Sequence, residues 1–241
     1  MSARDGDEIV LLGAPRTLSG RVPRRVPKSQ VVPVSVTIGR ESTVYRAALR
    51  PAVTGDSELR LRLPGDTPPG TYTGEATLDG KPQRVRLQVE PLLRLTVEPR
   101  QSHLSAQPGG RVEFTCFVGN QGNVPFDVPN SDTFDFDDAV AQDRALGRTL
   151  RAKLAEGEHP VDHLFDELRD AHGGEASVAV RAGAGPLVPG ESRELTCALY
   201  VPAMAKAGRT YVGPWQLGNV AHVIVADIAA AVRPAKTTIA S

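Results

Sequence analysis

Val32, Val34, Val36 and Ile38 alternate with polar or small residues, as do Leu59, Leu61 and Leu63 and, later, Val85, Leu87 and Val89. A period of two places each apolar set on one face of a strand. Arg60, Arg62, Arg84 and Arg86 fall on the opposite face. Between these runs, Gly and Pro clusters such as Pro64-Gly65-Asp66-Thr67-Pro68-Pro69-Gly70 end strand pairing and set turns. Short strands that are apolar on one side and charged on the other predict an all-β chain built of two-sheet sandwiches.

The pattern occurs twice. The first copy runs Val32, Val34, Val36, Ile38-Gly39, then Gly55-Asp56-Ser57, Leu59, Leu61, Leu63, Pro64, Gly70, Tyr72, Gly74 and Leu78. The second runs Val112, Phe114, Cys116, Val118-Gly119, then Gly190-Glu191-Ser192, Leu195, Cys197, Leu199, Pro202, Gly208, Tyr211, Gly213 and Leu217. A duplicated module means that most of these residues serve a shared fold, so function is sought where the copies differ. The boundary falls near Pro91 to Pro99.

The main difference is length. From Gly39 to Gly55 is 16 residues and from Gly119 to Gly190 is 71. This predicts an insertion over 131–175, mostly without strand character. From Asp137 to about Glu156, Val140, Leu146, Leu150 and Leu154 recur at helical spacing, with acids at the front and bases at the end, as the helix dipole favours. A second helix is expected from Pro160 to about His172, with Val161, Leu164, Phe165 and Leu168 as its apolar stripe and Gly173-Gly174 as its stop. The two stripes of such a helical hairpin must be covered by the sandwich, by each other or by a partner.

Pro108-Gly109-Gly110, the alternating strand to Val118, Asn120-Gln121-Gly122-Asn123-Val124-Pro125, Pro189-Gly190-Glu191-Ser192, and Val201-Pro202 with Gly208 and Tyr211 together resemble bacterial immunoglobulin-like (Ig-like) β-sandwich modules. The resemblance covers most of 97–226 outside the insertion, and the first copy more loosely. It implies two tandem Ig-like β-sandwich domains, at 1–95 and 96–228, the second carrying an inserted α-helical hairpin at 131–175, and a C-terminal tail at 229–241. It also implies a noncatalytic accessory, adhesion or assembly role.

Charge refines this picture. The chain has 241 residues with 28 basic and 28 acidic side chains, so it is not a basic nucleic-acid binder. Residues 1–98 carry 15 basic and 11 acidic side chains, whereas 131–175 carry 5 and 12. Arg21, Arg24, Arg25 and Lys28 form a basic run, and Asp162, Asp166, Glu167 and Asp170 an acidic one. These are the candidate contact residues, for a protein partner or a second copy of the chain. The apolar run Ile9–Leu12 is too short for a signal peptide, which points to the cytoplasm, with export by another route as the alternative. No apolar stretch approaches the roughly 20 residues of a membrane span.

Candidate chemistry is sparse. His159, His163 and Glu167 share a helical spacing that suits zinc, but Pro160 displaces His159 towards the cap, and a solvated acidic helix explains the same residues. Cys116 and Cys197 are in phase with core positions of their strands. The first copy has Val36 and Leu61 there, so buried reduced thiols suffice, while Ig-like neighbouring strands leave a disulfide open. Trp215 shares the inward phase of Tyr211 and Leu217 and reads as core, with a sugar-stacking platform as the alternative. Phosphate-loop, nucleophile-elbow and Cys-x-x-Cys signatures are absent from the sequence. The expectation is a nonenzymatic, cofactor-free interaction protein. A carbohydrate-binding accessory module and a metal-dependent enzyme are the alternatives.

Overall fold

The computed structural model describes residues 8–53, 55–153, 157 and 159–229, without the side chains of Gln142 and Asp170. By contacts the chain divides into two units. The first comprises Met1–Arg94, Asn120–Phe126 and Leu187–Glu191, and the second Leu95–Gly119, Asp127–Pro186 and Ser192–Ser241.

The first unit holds β1 (Ile9–Gly13), β2 (Leu18–Val22), β3 (Gln30–Ile38), β4 (Glu41–Pro51), β5 (Ser57–Leu61), β6 (Gly70–Leu78) and β7 (Lys81–Val89). Their hydrogen-bonded order is β1-β2-β5-β4-β3-β6-β7, and β1 pairs in parallel with β7, which closes the ring into a barrel. The expected pair of separate sheets is thus joined, because β1 pairs with both β2 and β7. The period-two residues Leu11, Val34, Val36, Leu59, Leu61 and Leu87 are all buried in its core. Closure also removes exposed sheet edges, the usual liability of small β domains.

The second unit contains β8 (Leu95–Glu98), β9 (Gln101–Ala106), β10 (Arg111–Asn120), β12 (Ser131–Asp138), β13 (His172–Ala182), β15 (Ser192–Tyr200), β16 (Thr210–Leu217) and β17 (Val220–Ile228). The short strands β11 (Phe126–Val128) and β14 (Gly185–Leu187) pair with each other. The eight-stranded order is β8-β10-β15-β13-β12-β16-β17-β9. Its two edge strands are consecutive in sequence, with only Pro99 and Arg100 between them. Three residue steps reach at most about 11 Å, so the sheet must roll until its edges nearly meet.

Strand order corrects the pairing of the repeats. Along the two sheets β2, β3, β4, β5, β6 and β7 take the places of β10, β12, β13, β15, β16 and β17. The Val32–Ile38 strand therefore corresponds to β12, and the Val112–Val118 strand to β2. The second halves do correspond: Gly74 on β6 and Gly213 on β16 recur because neither can take a side chain. A Cβ there would stand 2.5 Å from the Ser35 carbonyl oxygen and 2.4 Å from the Phe134 ring.

The same order relocates the insertion. Where β3 turns into β4 through Gly39 and Arg40, β12 and β13 are separated by residues 139–171, which carry α1 (Ala141–Thr149) and α2 (Pro160–Ala171). The ends of the expected helical 131–175 are instead central strand, with Phe134 and Phe136 buried and Asp135 and Asp137 outside. The first helix is also shorter than the spacing suggests; Leu154 and Glu156 lie outside the described residues. Among the described residues, no helix is long and apolar enough to cross a membrane.

Candidate functional site: a helical hairpin on the second unit

The hairpin grows from one buried carboxylate. Asp138 ends β12 with its side chain fully buried, ion-paired to Arg144 of α1 and lying 3.5 Å from Arg209 Nη1 at the start of β16. Its Oδ1 also accepts the Val140 N–H at 3.1 Å, and the Ala139 N–H donates to the Thr210 carbonyl at 2.8 Å. A buried charge is costly unless paired, and here two guanidinium groups and a backbone amide meet it. Asp137 beside it accepts from or pairs with His172 Nδ1 at 3.0 Å.

Local chemistry sets the helix ends. Asp143 lies in the first turn of α1 and Arg148 in its last, and Asp162 and Arg169 stand likewise in α2, each complementing the helix dipole. Pro160 opens α2 where its missing N–H costs nothing, and the His159 carbonyl accepts the first helical bonds. The helices pack against each other: Arg148 Nη1 donates to Glu167 Oε2 at 2.9 Å, and Thr149 Oγ1 lies 3.3 Å from His163 Nδ1. Pairing of late α1 with early and middle α2 makes the hairpin antiparallel.

The apolar stripes are only partly covered by this packing. Ala145 and Ala171 are buried, but Leu146 is 52 % exposed, Leu150 77 %, Val161 51 % and Phe165 59 %. Neither the sandwich nor the other helix covers them. At the hairpin base an open cleft of about 410 Å³ is lined by Asp137, Asp138, Val140, Asp143 and Leu168.

The other candidate residues are placed as follows. Arg21 is ion-paired with Asp56 and Arg24 with Asp79 inside the first unit, while Arg25 and Lys28 are exposed. Asp162 and Asp166 are exposed on α2, Asp166 pairs with Arg169 at 3.0 Å, and the Asp170 side chain lies outside the described residues. Glu167 is paired with Arg148, and His163 lies against Thr149. Among the described residues, no three His, Cys, Asp or Glu side chains are grouped to hold a metal ion.

Cys116 and Cys197 are free and buried in the second core, on the paired strands β10 and β15, where Cys116 stands opposite Leu195 and Cys197 opposite Phe114. Their thiols are hydrogen-bonded, and that bond, with burial, pushes the Cys197 thiol far above the ordinary thiol range. Trp215 is fully buried against Phe114 and His222, which rules it out as a sugar-stacking platform.

Two polar features carry no chemistry signature in the sequence. His222 is fully buried in the second unit, its Nδ1 donating to the Pro99 carbonyl and its Nε2 accepting from Ser102 Oγ. Within the first unit, Asn123 is a buried knot: its Nδ2 donates to the carbonyls of Thr67 and Glu90, both at 3.0 Å, and its Oδ1 accepts the Leu92 N–H. Asn120 similarly bonds Val124, Leu187 and Gly122. Gly122 between them has no room for a side chain, since a Cβ would stand 2.1 Å from the Leu92 carbonyl oxygen. The Asn120–Asn123 motif thus serves loop structure.

No protein-family model matches the chain, and no curated protein matches it. Among solved structures it is similar to the titin tandem A168–A169, at 13 % identity and TM-score 0.31, over 93 % of this chain and 97 % of that one. It is also similar to DIP-gamma IG1+IG2, at 12 % and 0.32 over 92 % and 95 %. A third similar structure is a protein of unknown function from Porphyromonas gingivalis W83, at 11 % and 0.28 over 92 % and 96 %.

Proposed function

We propose that this chain is a noncatalytic protein-interaction module: two tandem Ig-like β-sandwich domains, near 1–95 and 96–228, of which the second presents its helical hairpin to a protein partner. The observation that carries this reading is the exposure of Leu146, Leu150, Val161 and Phe165 on one small, anchored element. Apolar area removed from water contributes about 25 cal/mol per Å², so four half-exposed large side chains favour being covered. The Asp138 cluster holds their helices in place, which lowers the ordering cost of binding. Acidic Asp162 and Asp166 border the apolar residues and supply orientation.

The test is photo-crosslinking in the producing cell, with a photoreactive amino acid at position 165 and, as control, at the exposed Val44 of β4. The expected result is a discrete protein adduct from 165 that is missing from 44. Equal labelling from both positions, or none from 165, overturns the reading.

A further inference from the structure

We propose that the partner of the hairpin is a second copy of this chain, with α1 of one copy lying antiparallel on α2 of the other to make a four-helix contact. The proposal rests on the hairpin being a protein-contact surface and names its occupant.

The four exposed apolar residues share one side of the hairpin. Leu146 and Leu150 stand two residues either side of Arg148, and Phe165 two before Glu167. At 100° per residue this is the face of each helix turned away from the Arg148–Glu167 pair. Val161 lies one turn from Phe165 along the same stripe of α2. A two-helix face with such a stripe is half of a four-helix arrangement.

Charge selects which helix meets which. The contacts Arg148–Glu167 and Thr149–His163 fix the levels of the two helices. Counting back along α1 and forward along α2, Asp143 stands within about a turn of Arg169, and Leu150 within about a turn of Phe165. A two-fold axis parallel to the helices keeps these levels and lays α1 on the second copy's α2. It brings Leu150 onto the second copy's Phe165 and Asp143 onto its Arg169. In the single chain Arg169 pairs with Asp166, but those side chains are 80 % and 71 % exposed, and such a pair is readily exchanged. The same contact is made twice in the dimer, as two-fold symmetry requires.

Helices of 9 and 12 residues are no longer than about 18 Å. They cover less than the about 800 Å² per partner of a standard stable interface, so the dimer is weak and concentration-dependent.

Analytical ultracentrifugation of the full chain tests this, over about 1 to 500 µM, where a contact of this size should titrate. The expected result is a monomer–dimer equilibrium that Phe165→Glu weakens at least tenfold. Asp143→Arg and Arg169→Asp each weaken it, and combining them restores most of the lost affinity. Circular dichroism and thermal midpoints establish that each variant is folded. A monomer at every concentration, or a double variant no tighter than either single one, overturns the proposal. If a monomeric chain still crosslinks through position 165 to a different protein, the second copy is the wrong occupant and the surface reading stands. If it crosslinks to nothing, both fall.

Discussion

His222 Nδ1 lies 2.9 Å from the Pro99 carbonyl oxygen, so the ring donates there, and its Nε2 accepts from Ser102 Oγ at 3.0 Å. The Pro99 carbonyl can only accept, which fixes the proton on Nδ1, and in the neutral ring that burial favours the Ser102 hydroxyl then donates to Nε2. The ring stacks on Phe114 at 5.7 Å and meets the edge of Trp215, so apolar surface encloses it. Burial lowers its pKa below the ordinary 6.5, with the Pro99 hydrogen bond opposing in part.

Stability of the second unit is therefore expected to depend on pH with a definite sign. The unfolded chain takes up the His222 proton at about 6.5 and the folded chain only at lower pH, so the unfolded state binds more protons between those values. Stability is full above about 6.5 and declines as pH falls towards the folded-state pKa. Urea unfolding at a series of pH values measures it. In His222→Phe the slope below 6.5 flattens, while stability at neutral pH drops by about 1–3 kcal/mol because Ser102 and the Pro99 carbonyl lose their partner. An unchanged slope in that variant would assign the pH dependence elsewhere.

Cys116 and Cys197 are expected to resist thiol reagents in the native chain. Both are buried, and the thiolate is the reactive species, which burial and the Cys116 hydrogen bond disfavour at Cys197. A maleimide should add to neither cysteine in buffer and to both in urea, as counted by intact-mass spectrometry. Cys116→Val, which keeps an apolar side chain of similar size, should cost less than about 1.5 kcal/mol. The first barrel makes do with Leu18 and Val22 on the corresponding β2, both fully buried. Rapid labelling of the native chain would show that the second core opens readily.

Much of the strand pattern was legible because one-sided burial forces period-two alternation, as at Val32 to Ile38 and Val85 to Val89. The strand β12 escaped because Thr133-Phe134-Asp135-Phe136-Asp137-Asp138 carries so many acids that its alternation reads as a helix front. Only the tertiary structure shows that Asp135 and Asp137 face out while Asp138 is buried against two arginines. The first halves of the two copies look alike without corresponding, for a related reason. Alternation says that a strand exists but not which strand it is, whereas Gly74 and Gly213 mark a close approach peculiar to one place in the sheet. The apolar stripes of α1 and α2 were visible as stripes. What covers them is a tertiary property, and Leu146, Leu150, Val161 and Phe165 stay exposed although both helices are packed. The motif that contains Asn123 is visible in the sequence but its role is not, since its three partners come from Thr67, Glu90 and Leu92.

Asp138 gives the sharpest test of how the hairpin is held. Its carboxylate is fully buried, whereas Arg144 and Arg209 keep 30 % and 14 % of their side-chain exposure. Removing one member of a buried ion cluster leaves the others uncompensated and typically costs about 3–5 kcal/mol. Because Arg144 can turn towards water, Asp138→Ala is expected near about 3 kcal/mol by urea unfolding. Asp138→Asn retains an oxygen for the Val140 N–H and should cost less, separating the hydrogen bond from the charge. Limited proteolysis then distinguishes a loosened hairpin from a weakened sheet. Cleavage confined to 139–171 in Asp138→Ala is the expected outcome, and a native cleavage pattern would mean that the carboxylate does not anchor the helices.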